Sequence, residues 1–391
     1  MPNATLDRAH AAHAELTAIR RDIHAHPEIG MNEHRTADLV ARKLEEWGIE
    51  VHRGVGQTGV VGVLRNGNGQ ASVGLRADMD ALPILEATGL PHASQTQGLM
   101  HACGHDGHTT MLLGAAKLLA ETRDFNGTVN FIFQPGEEGA GGALAMLKDG
   151  LFERFPCDTV YGMHNRPGLP VGKFLIGPGV RYAAAAVFDI HVTGKGAHGA
   201  RPEEGIDPAL VICHLATALQ SIVSRNVSAR DTAVLSITRV HAGEAYNVVP
   251  ETGSLGGTVR TMKSDVLAMI EHNMERLATS IAGGFGATAE VSFRTIASPV
   301  VNNAAEAIAY GDAAVALVGE ANVDRDAPPV MGSEDFAFMM ERVPGAHISI
   351  GNGATAGVHN HRYDFNDEAI PFGAALYAAI VEKKLPKGTG D

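Results

Sequence analysis

Residues 128–139 read TVNFIFQPGEEG, an apolar strand that runs into a glycine turn carrying two adjacent carboxylates. The same rhythm continues on either side, with strands predicted at 72–76 and 159–164 and helices at 108–122 and 142–149. Strands that alternate with helices predict an α/β fold with a mostly parallel sheet. Open sheets of this kind bind ligands beyond the carboxyl ends of their strands. Glu137 and Glu138 therefore stand where a ligand site is expected.

The rhythm of the chain changes near residue 183. The pattern predicts strands at 186–193, 233–241, 253–261 and 288–294, and helices at 208–225 and 264–282. This β-α-β-β-α-β order is typical of a ferredoxin-like α+β unit. The α/β pattern then resumes with a helix at 303–318, a strand at 347–351 and a helix at 367–383. We therefore expect two domains, a discontinuous one (1–182 and 295–391) and an inserted one (183–294).

Composition excludes some classes of partner. Against 31 basic residues stand 44 acidic ones, a net charge of −13, which disfavours nucleic acid as a partner. No apolar run approaches the roughly 18–20 residues of a membrane span, so no membrane association is expected. The cysteines, Cys103, Cys157 and Cys213, are scattered, odd in number and suggest no disulfide framework. A cytoplasmic location is expected, since that compartment keeps thiols reduced.

A dinucleotide-binding fingerprint occurs at 54–59, where GVGQTG matches G-x-G-x-x-G. That motif needs a following helix whose N-terminus receives the pyrophosphate. Here the next residues, VVGVL, are rich in β-branched side chains and predict a strand. We therefore expect a plain loop between two strands.

The densest chemical signal is HACGHDGH at 101–108, which brings three imidazoles, a thiol and a carboxylate into eight residues. Thiolate and imidazole are the usual ligands of zinc-type metals. A lone histidine is more often solvated or helix-capping, but this density favours metal binding. Further candidates follow predicted strands at His164 and near the C-terminus at His359 and His361.

Carboxylates complete such a centre in two ways. In the Glu137–Glu138 pair, one carboxylate can bind a metal while the other takes a proton from water. An exposed acidic turn is the alternative explanation for the pair. Asp78 and Asp80 also follow a predicted strand, and they can orient ligand imidazoles.

Together these motifs resemble the co-catalytic metallopeptidase family that contains aminoacylase, carboxypeptidase G and related dipeptidases. The nearest branch is the hippurate hydrolase type of N-acyl amino acid amidohydrolase, which includes plant auxin-conjugate hydrolases. The resemblance covers essentially the whole chain. It rests on HPEIG (26–30), RADMDALPI (76–84), HACGHDGH (101–108), QPGEEG (134–139), GKGAHGARP (194–202), NVVP (247–250), GTVRT (257–261), GSEDF (332–336) and YDFND (363–367).

The resemblance implies hydrolysis of N-acyl amino acids or short peptides by a centre of two divalent ions (Mn, Zn, Ni or Co) on the α/β domain. The inserted domain would be a lid that also forms a homodimer or homotetramer. The implied ligands are Cys103, His105, Glu138, His164 and His359. Other implied roles are general base for Glu137, orienting residue for Asp80, oxyanion stabilisation for His198, and binding of the substrate carboxylate for Asn247 and Arg260.

One position departs from the family pattern, which is commonly His-x-Pro before the YDFND stretch. Here that proline is replaced by His361, so His361 competes with His359 as the last ligand. Alignment on YDFND favours His359.

Three alternative functions remain open at this level. A dipeptidase or aminopeptidase of the same family would use the same metal centre. A thiol hydrolase would use Cys103 as nucleophile and a nearby histidine as base. A non-enzymatic binding or scaffold protein would be favoured if the base or the ligands were missing, yet all of them are present.

Overall fold

A computed structural model describes residues 3–387 of the chain. Its helices are α1 (Ala4–Ala11), α2 (His13–Ala25), α3 (His34–Glu46), α4 (His105–Thr122), α5 (Gly142–Lys148), α6 (Leu151–Arg154), α7 (Pro208–Ser221), α8 (Ser264–Gly284), α9 (Ala304–Val318), α10 (Ala337–Met340) and α11 (Ile370–Lys384). Its strands are β1 (Glu50–Val55), β2 (Gly59–Asn66), β3 (Ser72–Asp78), β4 (Gly127–Gln134), β5 (Thr159–Arg166), β6 (Phe174–Leu175), β7 (Gly179–Tyr182), β8 (Ala184–Thr193), β9 (Ala197–His198), β10 (Ala233–Ala242), β11 (Val248–Val249), β12 (Thr252–Thr261), β13 (Thr288–Ala297), β14 (Val300–Asn302), β15 (Val323–Asp324) and β16 (Gly345–Gly351).

The first of two compact units contains the chain as far as Arg181, then Val301–Pro328, and the chain again from Asp335. Its sheet has eight strands in the order β1-β2-β4-β3-β5-β16-β6-β15. The central strands β4, β3, β5 and β16 are parallel to one another, whereas β1 and β2 are antiparallel at one edge. This mostly parallel α/β sheet confirms the predicted fold class.

Both faces of this sheet are buried, as the alternation along β4 shows. Phe131 and Phe133 pack into the core formed with α1–α4, α9 and α11, whereas Ile132 packs into a second core with α5, α6 and α10. Side chains alternate between the faces of a strand, so one apolar run supplies both cores. Strands of a parallel sheet that is covered on both faces are continuously hydrophobic in sequence. The apolar run 128–134 therefore predicts a strand of such a sheet.

The second unit comprises Tyr182–Val300 and Pro329–Glu334. Its antiparallel sheet has the order β10-β12-β8-β13, which places the strands of the predicted β-α-β-β-α-β run in the order second, third, first, fourth. Phe188, Ile190 and Val192 of β8 face α7 and α8 and form the core of this unit. The segment 329–334 belongs to this unit although it lies far from 183–294 in sequence.

Two helices differ from the predictions. The pattern of residues 4–22 predicts one helix, but the structure has two, α1 and α2, with Ala12 between them. Neither glycine nor proline marks that break, so the sequence carries no signal for it. Helix α4 begins at His105 rather than His108, because Gly104 adopts a φ of 96° and turns the chain into the helix there. His105 therefore lies in the first helical turn and not in the preceding loop.

The fingerprint at 54–59 forms no nucleotide loop. Strand β1 ends at Val55 and β2 begins at Gly59, and the two strands pair antiparallel. No helix N-terminus follows, and the predicted loop between strands is confirmed.

Within the described residues, one stretch, Pro208–Asn226, is long and apolar enough to cross a membrane by length and composition. Its residues Val211, Ile212 and Leu215 are buried in the core of the second unit. A core helix passes the same criterion, so the stretch is weak support for a membrane span.

Candidate metal centre

The proposed ligands of the first unit meet at the carboxyl edge of its sheet. Cys103 precedes α4, His105 begins α4, Glu138 follows β4, His164 lies near the end of β5, and His359 follows β16. Because β3, β4, β5 and β16 are parallel, the segments that leave their carboxyl ends share one edge. The segments come from distant parts of the sequence and are brought together only by the sheet.

Cys103 belongs to two groups of possible ligands. Its Sγ lies 3.3 Å from His164 Nε2. Cys103, His105 and His164 form one group and Cys103, Glu138 and His359 another, with the ligand atoms of each group within 4.8 Å of one another. A residue shared by two such groups suits a centre of two metal ions.

The chemistry of these donors fits a bound cation. Burial raises the pKa of the Cys103 thiol well above its usual range and lowers the pKa of the His164 imidazole well below its usual range. The buried His105 Nε2 has no hydrogen-bond partner among the described residues, and Asp78 Oδ2 lies 3.7 Å from it. A cation would hold the thiol as a thiolate and would accept the lone pairs of both imidazoles, and thiolate, imidazole and carboxylate together are zinc-type ligands.

Asp80 and Glu137 lie beside these ligands. Asp80 Oδ1 is 3.1 Å from His105 Nδ1, and Asp80 Oδ2 accepts a hydrogen bond of 2.9 Å from the backbone N–H of Glu138. Asp80 therefore fixes which nitrogen of His105 faces the centre. Glu137 groups with His105 and Glu138 within 4.8 Å. Its carboxylate is close enough to the ligand set to reach a water held there.

The loop after β16 favours His359 over His361. His359 Nε2 lies 3.1 Å from Glu138 Oε1. The His359 backbone has a φ of 61°, and its N–H donates 2.7 Å to the carbonyl of Ala102, next to Cys103. No ligand group among the described residues includes His361. A left-handed backbone is costly outside glycine, and here it aims the imidazole at the ligand set.

The remaining predicted site residues lie in the second unit. His198 is on β9, which pairs with β11, and the carbonyl of Asn247 accepts 2.8 Å from the N–H of Gly199. His198 Nδ1 accepts a hydrogen bond from the Ala200 N–H at 3.0 Å, which leaves Nε2 as the protonated donor. Arg260 lies on β12, where burial lowers its guanidinium pKa, and it donates 3.0 Å to the Val259 carbonyl.

A family comparison agrees with this geometry. The model of peptidase family M20/M25/M40 matches residues 74–383 of the chain. The chain belongs to the M20 family. A hippurate hydrolase from Campylobacter jejuni is 43% identical over 95% of the chain and 97% of its own length. An N-acetylcysteine deacetylase from Bacillus subtilis is 39% identical over 95% of the chain and 97% of its own length.

A solved structure supports the same assignment. A dinuclear metal-binding peptidase of the M20 family from Bacillus subtilis is 35% identical, with a TM-score of 0.82 over 95% of the chain and 98% of that protein. The family and branch predicted from the motifs are thereby confirmed. This M20 chain is a metal-binding hydrolase, and one of its relatives is a dinuclear metal-binding peptidase.

A buried charge cluster behind the centre of this M20 protein was not foreseen from sequence. His24 Nδ1 lies 2.7 Å from Asp106 Oδ2, and Arg20 contacts the same oxygen at 3.7 Å. Arg20 also binds Asp364 at 2.7 Å and Asp367 at 2.8 Å. Asp106 belongs to the HACGHDGH motif, yet it pairs with α2 and is no member of the ligand groups. The only sequence signal for the burial of His24 is that apolar residues such as Ile19 and Ile23 lie near it on α2.

The His24–Asp106 pair predicts a pH-dependent stability. Burial lowers the pKa of His24, but the Asp106 carboxylate, with a smaller contribution from Glu86 at 3.5 Å, outweighs burial and raises that pKa to about 9. The pair therefore stabilises the fold fully below the unfolded value of about 6.5 and loses this contribution as pH rises through about 9. At pH 6 the free energy of unfolding of the H24Q variant should be lower than that of wild type by about 3 kcal/mol, at about 1.4 kcal/mol per pKa unit. H24Q should therefore unfold at a lower temperature.

Thermal unfolding measured from pH 6 to pH 10 checks this. The gap between wild type and H24Q should narrow toward pH 10. An H272Q control, at an exposed histidine of α8, should follow the wild-type pH profile. A gap that stays constant across this range would contradict the assignment.

Because Cys103 belongs to both groups of possible ligands, we expect the C103S variant to bind less metal. Serine is neutral near pH 7 and binds zinc-type ions more weakly than a thiolate. Elemental analysis after dialysis should find less metal per chain in C103S than in wild type. The C213S control changes an exposed thiol of the second unit and should keep the wild-type metal content. Equal content in C103S and wild type would make Cys103 a structural residue.

Proposed function

We propose that this M20 protein hydrolyses the amide bond of N-acyl amino acids and releases a carboxylic acid and an amino acid. The observation that carries the proposal is the position of Glu137 beside two ligand groups that share Cys103. The names of two relatives, a hippurate hydrolase and an N-acetylcysteine deacetylase, each describe removal of an acyl group from an amino acid derivative. Site and relatives thus support the same bond.

Glu137 is proposed as the general base. Two divalent ions, held by Cys103, His105, Glu138, His164 and His359, would supply Lewis acidity and would lower the pKa of water. The Glu137 carboxylate takes a proton from the attacking water and then delivers it to the leaving amine. Such proton transfer typically contributes about 10²–10⁴-fold to the rate.

Residues of the second unit are proposed to bind the substrate. The Nε2–H of His198 donates to the developing oxyanion, an interaction whose loss typically costs about 10²–10³-fold in rate. Asn247 and Arg260 bind the carboxylate of the amino acid. Arginine suits this role because its planar guanidinium pairs with a carboxylate through two parallel hydrogen bonds, which lysine cannot do.

Further properties belong to the same proposal. The metal is Mn, Zn, Ni or Co, since the ligand types accommodate all four. The second unit serves as a lid and forms a homodimer or homotetramer, an arrangement supported by the exposed apolar side chains of Val240 and Val248. The protein is cytoplasmic, as suggested by its three free thiols.

A thiol hydrolase is the weaker alternative. Cys103 Sγ lies 3.3 Å from His164 Nε2, a separation that also suits a nucleophile and its base. Burial, however, raises the pKa of Cys103 and keeps the thiol protonated unless a cation is present. A dipeptidase or aminopeptidase activity would use the same metal residues, and substrate profiling separates it from the proposed activity.

A substrate screen tests the function. Purified protein reconstituted with Mn²⁺, Zn²⁺, Ni²⁺ or Co²⁺ is assayed with hippurate, N-acetyl amino acids and unblocked dipeptides, and the released amino acid is quantified. We expect hydrolysis of N-acyl substrates that stops with EDTA and returns with metal. EDTA-resistant turnover that is abolished by thiol alkylation would favour the Cys103 alternative, and turnover of dipeptides alone would favour a peptidase.

The general-base assignment predicts the behaviour of E137Q. Glutamine keeps the size of the side chain but cannot accept the proton, so turnover should fall by about 10²-fold or more. Metal content should stay at the wild-type level, because Glu137 is not among the proposed ligands. E153Q, which alters a surface carboxylate near the end of α6, should retain both activity and metal. Wild-type turnover in E137Q would exclude Glu137 as the base.

A further inference from the structure

Asn165 lies beside the candidate metal centre, and each of its own four polar atoms makes a hydrogen bond. It follows His164 directly on β5 and is buried. Its side-chain Nδ2 donates 2.6 Å to the carbonyl of Cys103, and its Oδ1 accepts 2.7 Å from the Tyr363 hydroxyl. Its backbone N–H donates 3.0 Å to His108 Nε2, and its carbonyl lies 2.7 Å from His164 Nδ1. One buried residue thus contacts two proposed ligands.

The direction of these bonds is fixed by chemistry. A backbone N–H can only donate, so His108 Nε2 is the acceptor and His108 Nδ1–H donates 2.6 Å to Asp78 Oδ1. A carbonyl can only accept, so the Asn165 Nδ2 must face Cys103. If the amide were flipped, Asn165 Oδ1 would face the Cys103 carbonyl oxygen, and the two oxygens would repel. In the observed orientation Oδ1 instead accepts the hydrogen bond from the Tyr363 hydroxyl.

Asn165 orients both Cys103 and His164 through contacts on the side away from the ligand set. The Asn165 carbonyl accepts a hydrogen bond from the Nδ1–H of His164, which leaves the Nε2 lone pair toward Cys103 Sγ. The Asn165 amide holds the main chain that carries the Cys103 thiol. Gly104 lets this contact form, because a Cβ at its φ of 96° would collide with the Asn165 amide and the Tyr363 hydroxyl.

We propose that Asn165, held by Tyr363, is a positioning residue that sets the relative geometry of Cys103 and His164 for metal binding. The proposal rests on the metal centre of the proposed function. Residues that hydrogen-bond to ligands typically change metal affinity by about 10–100-fold when they are mutated. A purely structural contact would instead change the stability of the metal-free protein and leave the geometry of Cys103 unaltered.

The test uses Co²⁺, whose thiolate complexes absorb in the near ultraviolet. Metal-free wild type, N165D, Y363F and the double variant are titrated with Co²⁺ against a chromophoric chelator. N165D removes the donor to Cys103 and should weaken Co²⁺ binding by about 10–100-fold, with a weaker or shifted thiolate band. Y363F removes one hydroxyl and should cost about 2–10-fold. In the double variant the two losses should not add, since both act through the same amide.

A matched control is Y310F, which removes a buried tyrosine hydroxyl that has no hydrogen-bond partner within residues 3–387. It should bind Co²⁺ as wild type does. The buried hydrogen bond lost in Y363F should lower the thermal midpoint of the metal-free protein only slightly. Wild-type Co²⁺ affinity and an unchanged thiolate band in N165D and Y363F would overturn the proposal, as would weaker binding in variants whose band at saturation equals that of wild type, because the geometry of Cys103 would then be unaltered. Absence of a thiolate band in wild type would instead refute Cys103 ligation in the proposed function.

Discussion

The first unit depends on one carboxylate, Asp80, that faces two neighbouring elements at once. Its two oxygens contact the His105 imidazole at the start of α4 and the Glu138 backbone after β4, at 3.1 and 2.9 Å. A carboxylate that is almost fully buried is tolerated only when such partners compensate its lost hydration. The same contacts fix the direction of an imidazole and the path of a turn. Charge compensation and ligand geometry are therefore one requirement at this edge of the sheet.

The imidazoles of the HACGHDGH motif have divided roles. His105 faces the ligand set, whereas both ring nitrogens of His108 are occupied by hydrogen bonds, one to Asp78 and one from Asn165. Asp106 turns away and pairs with His24. The density that marks the motif therefore comes partly from the ligands and partly from the residues that hold them. A metal centre at a sheet edge needs both, because isolated ligands on a loop would not keep a common geometry.

The sequence predicted the parallel sheet, the β-α-β-β-α-β run and the segments that carry the ligand groups, because these leave local patterns of apolar spacing and short motifs. It did not predict the Arg20 contacts with Asp364 and Asp367, which join residues more than 300 positions apart and have no local signal. For the choice between His359 and His361, alignment on YDFND already favours His359, and the backbone geometry of the loop adds an independent reason. The break at Ala12 shows the same limit as the Arg20 contacts, since α1 and α2 contain no residue that interrupts a helix.

The place of β16 in the sheet has a consequence for synthesis of the chain. This strand lies between β5 and β6, yet it comes from residues 345–351, after the whole continuous part of the second unit. During translation the second unit can collapse around its own core while the first still lacks an inner strand and His359. The first unit therefore completes its sheet late, with an unpaired edge of β5 exposed to other strands until then. A metal held by Cys103, His164 and His359 would join early and late segments of the polypeptide.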